Sequence, residues 1–187
     1  MKKGKIFIIS GPSGSGKTTF YKKLLAANSA LIKTTSVTTR ERRKGELHGR
    51  DYFFVSTKMF LFKKKAGHFL ESQQVFGNYY GTTNKDIQLI LKKGKNVLLC
   101  IDVKGARVVR KKYPQAVTIF IKTPNLKVLK KRLEERGSEN KAVMLLRLNT
   151  AREELNEAKY YDHILINDDF SKAYKKLENI VKEELLR

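Results

Sequence analysis

Several kinds of residue and segment are scarce in this chain of 187 residues. It has one cysteine, Cys100, so no disulfide can form within it, which fits a reducing compartment. No apolar run approaches the ~18 residues that a membrane-spanning helix needs. The apolar stretch after the basic start, Ile6 to Ile9, is too short for the core of a signal peptide. We therefore expect a cytoplasmic protein that is neither exported nor embedded in a membrane.

Acidic residues are also scarce, because 18 Asp and Glu face 40 Lys and Arg and leave a net charge of +22. Three explanations are open: a lysine-rich solvated surface, steering of anionic small substrates, and binding of nucleic acid. The basic residues are scattered in blocks no longer than three, as at Lys63 to Lys65. This scatter favours the solvated surface and makes nucleic acid the weakest of the three.

Short apolar runs alternate with amphipathic helical patterns along the chain. The runs predicted as strands are Ile6 to Ile9, Leu31 to Val37, Val97 to Ile101, Val117 to Ile121 and Ile164 to Ile166. Continuous apolar runs are typical of parallel strands that helices cover on both faces. The alternation predicts an α/β protein with a doubly wound parallel sheet.

Helix boundaries are suggested by capping patterns. Lys17 to Ala27 follows the first strand, and Thr83 and Asp86 have capping-box spacing before a helix over Asn84 to Lys93. Ser171 is a candidate N-cap for the last helix, in which Ala173, Leu177 and Val181 share one face.

Two stretches interrupt this alternation. Residues 38–83 are rich in aromatic side chains, glycine and charge, with short alternating runs that predict a small antiparallel or mixed sheet inserted into the core. Residues 130–157 read as charged helix with a break at Arg136-Gly137-Ser138, an arrangement suited to a mobile flap.

The segment from Gly11 to Thr18 fits the phosphate-loop pattern of Gly, four residues, then Gly-Lys-Thr. Its glycines allow the main chain to curl around an anion, so that backbone N–H groups and the next helix's N-terminus face phosphate. Lys17 offers a compact positive charge to the β and γ oxygens, and Thr18 offers a hydroxyl to Mg²⁺. An apolar strand before the loop and a helix after it strengthen the prediction that it binds phosphate.

Asp102 ends a buried strand, where ligands collect in such sheets. It could be a second acidic group near the metal or acceptor, or an Asp that caps the following loop.

Read in order, the motifs strongly resemble guanylate kinase over nearly the whole chain. The similar segments are Gly11 to Lys17, Ser36 to Arg40, Arg43 to Glu46, Gly49 to Tyr52, Gly67 to Glu71, Gly77 to Thr82, Ile101 to Ala106, Arg132 to Gly137, Arg147-Leu148 and Asn167 to Asp169. The phosphate loop alone specifies a nucleotide-binding superfamily, whereas the Thr-Thr-Arg and Asn-Tyr-Tyr-Gly-Thr motifs are far more specific. One departure is Cys100, where the family often has an acidic residue, so a metal contact from that position is in doubt.

The resemblance implies transfer of the ATP γ-phosphoryl group to GMP, with Mg²⁺ as cofactor. It implies a GMP site formed by Ser36, Arg40, Arg43, Tyr52, Glu71, Tyr80, Thr82 and Asp102. Guanidinium groups suit a phosphate oxygen pair, and Glu71 would accept from the guanine N1–H and 2-amino groups. Without the resemblance, Glu71 could equally be a surface carboxylate, and Arg40 and Arg43 ordinary solvated charges.

The resemblance also implies an ATP site and a lid. The ATP site comprises Gly11, Pro12, Ser13, Gly14, Ser15, Gly16, Lys17, Thr18, Thr19 and Asn167, with Thr18 as metal ligand. Lys17 and the lid arginines Arg132, Arg136 and Arg147 are the expected catalytic groups, although these arginines could instead form salt bridges with Glu134, Glu135 and Glu139 on a helix surface. The expected division is a core of residues 1–35, 86–128 and 158–187, a GMP-binding domain of residues 36–85 and a lid of residues 129–157.

Three other functions remain as alternatives. A guanylate-kinase-like protein-interaction module would lack a working phosphate loop, whereas Lys17 and Thr18 are intact. A related kinase for another small phosphorylated acceptor is disfavoured by Glu71 and the two tyrosines, and a nucleic-acid binder by the scattered charge. The expected partners are ATP and GMP, and the chain is expected to be a monomer or small homo-oligomer.

Overall fold

The computed structural model describes residues 4–135 and 141–187. Within them the strands, in chain order, are β1 (Ile6–Ser10), β2 (Leu31–Lys33), β3 (Val37–Thr38), β4 (Phe53–Phe54), β5 (Phe69–Val75), β6 (Asn78–Thr83), β7 (Asn96–Cys100), β8 (Val117–Lys122) and β9 (His163–Ile166). The helices are α1 (Lys17–Ala27), α2 (Thr57–Lys65), α3 (Asn84–Lys92), α4 (Val103–Lys112), α5 (Leu126–Glu134), α6 (Lys141–Asn156) and α7 (Phe170–Leu186), and a 3₁₀ turn covers Glu157–Tyr160.

The larger sheet is five-stranded and parallel, in the order β2-β7-β1-β8-β9. Every residue of β1 is buried, and alternate side chains enter cores on opposite faces. Phe7 and Ile9 pack in the core that includes residues of α1 and α7, whereas Ile6 and Ile8 pack in the core that includes residues of α3 and α4. The continuous apolar runs therefore mark strands covered on both faces, and the prediction of a doubly wound α/β core is confirmed.

The smaller sheet is mixed and has the order β4-β3-β6-β5. Strand β3 pairs with β4 in parallel, and the pairs β3–β6 and β5–β6 are antiparallel. The Phe60 ring of α2 is fully buried and stacks on Phe69 and Tyr79 of this sheet. The prediction of a small mixed sheet inserted between core elements is confirmed.

One predicted strand and one predicted cap are wrong, and a second cap, Thr83, has the predicted position without the hydrogen bond of a capping box. The run Leu31 to Val37 forms two strands in different sheets, because the chain leaves the core after Lys33 and enters the smaller sheet at Val37. The α7 N-cap is Asp169, which accepts from the Lys172 N–H at 2.8 Å, rather than Ser171. At α3 the Thr83 hydroxyl donates to the Asp86 carboxylate and makes no cap bond to the helix backbone.

Helices α5 and α6 pack against each other through the buried residues Leu129, Leu133 and Ala151. The break predicted between them, at Arg136-Gly137-Ser138, lies outside the described residues. No helix within residues 4–135 and 141–187 is both long enough and apolar enough to cross a membrane.

Candidate active site

The loop between β1 and α1 has a backbone shape that needs glycine at two positions in particular. Gly11 has φ +136° and Gly16 has φ +96°, values that side chains resist. A Cβ atom at Gly11 would lie 2.0 Å from the Ile121 carbonyl oxygen, and one at Gly16 would lie 2.5 Å from Asn167 Nδ2. The loop is thus held against β8 and against the segment after β9, with no room for larger residues.

Lys17 opens α1 and reaches back across this loop. Its Nζ donates to the carbonyl oxygens of Gly11 at 2.6 Å and Pro12 at 2.9 Å. The ammonium charge therefore lies over the loop, at the N-terminal end of a helix, where anions are favoured. Thr18 follows, exposed, on the wall of the neighbouring cavity.

Asn167 supports the same loop from the carboxyl end of β9. Its side chain is 5% exposed and its Nδ2 donates to the Ser15 carbonyl oxygen at 2.8 Å. Its backbone N–H donates to the Lys122 carbonyl oxygen, and its own carbonyl oxygen accepts from Arg132 Nη2 at 3.0 Å. Asn167 thus links the loop, β8 and α5.

Two adjoining cavities open between the phosphate loop and the smaller sheet. The larger, of about 520 Å³, is lined by Ser36, Arg40, Arg43, Tyr52 and Tyr80 and reaches Thr18. The smaller, of about 150 Å³, shares Ser36, Tyr52 and Tyr80 and adds Glu71 and Asp102. Seven of the eight residues predicted for acceptor binding therefore line one cleft, and the eighth, Thr82, contacts Glu71.

Glu71 is a buried carboxylate with 6% of its surface exposed. The Thr82 hydroxyl donates to its Oε1 at 2.5 Å, and Gly105 leaves space beside Oε2, since a Cβ there would lie 2.6 Å away. Burial raises the pKa of Glu71 to about 7, with a further contribution from the negative charge of Asp102. The alternative of a surface carboxylate does not hold.

Arg40 is held in a fork by Glu46. Its Nη2 donates to both Glu46 carboxylate oxygens, at 2.8 and 2.9 Å, and the guanidinium lies 5.6 Å from the Tyr52 ring centroid. Glu46 Oε2 also accepts from the Arg43 N–H at 2.9 Å. Burial opposes ionisation, but these hydrogen bonds prevail and lower the pKa of Glu46. Arg40 is therefore oriented into the cleft and is not a freely solvated charge.

Asp102 caps the following helix and also lines the cleft. Its Oδ1 accepts from the Gly105 N–H at 2.6 Å as the N-cap of α4, and the residue lines the smaller cavity. Burial raises its pKa, against the opposing effects of the Gly105 hydrogen bond and the Lys17 charge.

Similarity to known proteins agrees with this geometry. A family profile described as "Guanylate kinase" matches residues 3–184. The chain belongs to the guanylate kinase family. It is 43% identical to "Guanylate kinase" of Hahella chejuensis over 100% of this chain and 90% of that protein. The corresponding protein of Carboxydothermus hydrogenoformans is 39% identical over 100% of this chain and 92% of its own length.

A solved structure in the same family has the same fold. The crystal structure of guanylate kinase from Anaplasma phagocytophilum superposes with a TM-score of 0.82 at 32% identity, covering 100% of this chain and 89% of that chain.

The predicted lid arginines of this guanylate kinase family member are only partly described. Arg132 donates to Asn167, and Arg147 Nη1 lies 3.4 Å from the Ser13 hydroxyl of the phosphate loop. Arg136 lies outside the described residues. On α5, Lys130 pairs with Glu134 and Lys131 with Glu135, while Arg132 donates to Asn167. Glu139, the third carboxylate of the salt-bridge alternative, lies outside the described residues.

Sequence reasoning missed two residues near the loop. Glu154 of α6 has its pKa raised to about 7 by burial, with opposing influence from the Lys17 charge. Phe76, at the tip between β5 and β6, places its ring centroid 4.8 Å from the Arg147 guanidinium carbon. A signal existed for Glu154: it follows Arg147 by seven residues, or two helical turns, so both lie on one face. For Phe76 the sequence carried no signal.

Proposed function

We propose that the chain transfers the γ-phosphoryl group of ATP to GMP and releases ADP and GDP. One observation supports this more than any other: a buried carboxylate, Glu71, and an oriented arginine, Arg40, line adjoining cavities that reach the phosphate loop at Thr18. The cleft therefore offers an anion site, a purine-edge acceptor and a phosphate loop together. An interaction module would have no need of this combination.

The donor side would be the phosphate loop. Its backbone N–H groups and the start of α1 would surround the β and γ phosphates, and Lys17 would neutralise their charge. Ser13, Ser15, Thr18, Thr19 and the remaining loop residues would contact ATP, and Asn167 would hold the loop through Ser15.

On the acceptor side, Arg40, Arg43, Tyr52 and Tyr80 would bind the phosphate of GMP. Arginine forks match phosphate oxygen pairs, and tyrosine hydroxyls add further donors. The ionised Glu71 would accept from the guanine N1–H and 2-amino groups, an edge on which adenine lacks that donor pair. Ser36, Thr82 and Asp102 would complete the site.

Phosphoryl transfer depends chiefly on positioning and charge neutralisation. The acceptor phosphate is already anionic at neutral pH, so the site needs no strong general base. Arg132 and Arg147, from the proposed lid of residues 129–157, would spread the charge of the transition state. Residues 36–85 would form the acceptor domain on a core of residues 1–35, 86–128 and 158–187.

Mg²⁺ fits the donors present. No cluster of three or more His, Cys, Asp and Glu able to hold a metal occurs among residues 4–135 and 141–187. Mg²⁺ in such sites is commonly bound by few protein oxygens together with substrate phosphates and water. The exposed Thr18 hydroxyl beside the loop suits that role, whereas the Cys100 sulfur does not. When bound, Mg²⁺ supplies neutralisation of phosphate charge.

The decisive experiment is an acceptor screen. ADP release, coupled to NADH oxidation, should be fast with ATP plus GMP and much weaker with AMP, CMP or UMP. Replacement of Lys17 by Ala should lower kcat by orders of magnitude, while Lys176→Ala, an exposed lysine of α7, should serve as the matched control with unchanged turnover. Equal rates with AMP would overturn the assignment of Glu71. No ADP release with any nucleoside monophosphate would favour an interaction module instead.

A further inference from the structure

The turn between β5 and β6 is a two-residue hairpin loop with an unfavourable residue in it. Val75 pairs with Asn78, and the two residues between them, Phe76 and Gly77, have φ of +48° and +81°. Both central residues are left-handed, as in a type I′ turn, for which Asn-Gly is strongly preferred. A bulky side chain at positive φ is a genuine outlier and carries strain.

The strained residue places its ring against a charged group. The Phe76 ring is half-buried at a hairpin tip, and the guanidinium carbon of Arg147 lies 4.8 Å from its centroid. Arg147 Nη1 lies 3.4 Å from the Ser13 hydroxyl. The tip of the smaller sheet, helix α6 and the phosphate loop therefore meet at one arginine.

We propose that Phe76 is a positioning residue that holds Arg147 over the phosphate loop. This inference rests on the proposed phosphoryl transfer, in which Arg147 stabilises transition-state charge. The face of an aromatic ring attracts a guanidinium group through its charge, whereas phosphate oxygens take hydrogen bonds from the N–H groups. The ring can thus fix the orientation of Arg147 without competing for its donors. The backbone strain at Phe76 accompanies this placement.

Two replacements separate the ring from the strain. Phe76→Asn removes the ring and supplies the residue that the turn prefers, so we expect a higher Tm together with a kcat lowered by about threefold to tenfold. Phe76→Leu retains a bulky residue at positive φ but removes the aromatic face, so kcat should fall similarly without the gain in Tm. Phe76→Tyr retains the ring, so its kcat should stay close to that of the unaltered protein.

A double-mutant cycle with Arg147→Ala tests whether Phe76 acts through that arginine. In the Arg147→Ala background, Phe76→Leu should lower kcat no further. Equal losses of kcat in both backgrounds would overturn the proposal. An unchanged kcat in Phe76→Asn would also overturn it, as would a kcat in Phe76→Tyr as low as that in Phe76→Leu.

The same cycle should also be measured through the Kd of a non-hydrolysable ATP analogue, because this measurement needs no turnover. We expect each single variant to weaken analogue binding and the double variant to resemble Arg147→Ala alone. Additive effects on Kd would overturn the positioning role. If the unaltered protein did not turn over GMP but the effects of the two replacements on Kd were still coupled, the proposed function would be contradicted and the positioning role would stand.

Discussion

At the scale of single residues, Glu71 combines deep burial with a pKa raised to about 7 from an ordinary value of 4.5. Because the folded state binds this proton more tightly than the unfolded chain, the stabilising contribution is complete below about pH 4.5 and is lost as pH rises through 7. Above pH 7 the protein carries a buried negative charge beside Asp102, at a cost to stability. A carboxylate that is kept in the core despite this cost fits a role in accepting hydrogen bonds from a ligand.

Glu71→Gln should separate stability from acceptor binding. Glutamine can still accept from Thr82 but does not ionise, so the variant should have a higher Tm than the unaltered protein at pH 8, with the difference vanishing near pH 4. Its KM for GMP should rise about tenfold or more, because one charged acceptor is lost and a mismatched N–H₂ donor replaces it. Thermal unfolding across pH and steady-state kinetics measure the two effects.

The matched control is Glu157→Gln, which removes a partly exposed carboxylate paired with Arg107. It should show neither the gain in Tm at pH 8 nor the increase in KM. A Glu71→Gln variant whose Tm difference is the same at pH 4 and pH 8 would contradict the raised pKa.

At the scale of elements, the phosphate loop is held by a segment that is distant in the sequence. The hydrogen bond from Asn167 to Ser15 joins residues 152 positions apart, and the adjacent Gly16 has no room for a Cβ against Asn167. The loop's shape therefore depends on the carboxyl end of β9 as well as on its own glycines.

Asn167→Asp should weaken this support. The change replaces an N–H₂ donor by a carboxylate oxygen facing the Ser15 carbonyl oxygen, within a buried site. We expect Tm to fall by about 4 °C or more and the KM for ATP to rise several-fold, since a lost buried hydrogen bond costs roughly 1–3 kcal/mol. Calorimetry and ATP titration kinetics measure both.

Asn125→Asp makes the same chemical change at the N-cap of α5, where the side chain accepts from the Val128 N–H. Asp and Asn are comparable N-caps, so Tm and KM should hardly move. If both variants lose stability equally, the effect does not arise from the phosphate loop.

Local pattern predicted the core elements well but not the points where distant segments meet. The phosphate-loop strand and α1 were visible because periodicity and loop chemistry agreed over adjacent residues. The division of Leu31 to Val37 between two sheets was hidden, since a strand's sequence does not state which sheet it joins. Asp169 and Ser171 are both good N-cap residues two positions apart, so residue type alone does not identify Asp169 as the cap.

In the candidate site, residue types were predictable and their supports were not. The motifs that the family shares predict Arg40 and Glu71 as site residues, and both line the cleft. The fork between Arg40 and Glu46 lies in an irregular segment without periodicity, and the contact of Phe76 with Arg147 joins residues of different elements. Only the tertiary structure brings such pairs together.

At the scale of the whole molecule, the excess of positive charge extends into the cleft. The larger cavity is lined by four cationic side chains, Lys22, Lys33, Arg40 and Arg43, and two acidic ones, Glu46 and Asp51. A concave region with an excess of one sign concentrates ions of the other sign. The excess of cationic side chains in this cavity supports the steering of anionic nucleotides as one explanation of the net charge of +22.

Salt should therefore weaken acceptor binding through the cleft lysines. Raising NaCl from about 50 to 500 mM shortens the screening length to a few ångströms, so the KM for GMP should rise several-fold. In the Lys22→Gln, Lys33→Gln double variant this rise should be smaller. Steady-state kinetics over a series of NaCl concentrations measures how steeply the KM for GMP depends on salt.

The control carries Lys175→Gln and Lys182→Gln, two exposed positions on α7. It has the same net charge as the cleft double variant and should keep the full salt dependence. A control that loses as much salt dependence as the cleft variant would assign the effect to the overall charge of the surface.

The strand order has a consequence for biosynthesis. All four strands of the smaller sheet lie between Val37 and Thr83, so their pairing can be completed as soon as that stretch has left the ribosome. Strand β1 is made first, yet its neighbours are β7 and β8, in which Ile6 pairs with Val97 and Phe7 with Val117. At ordinary translation rates the nascent chain carries this apolar strand without its parallel partners for roughly 5–20 s. A ribosome stalled before β7 would hold the paired smaller sheet beside an exposed, aggregation-prone strand β1.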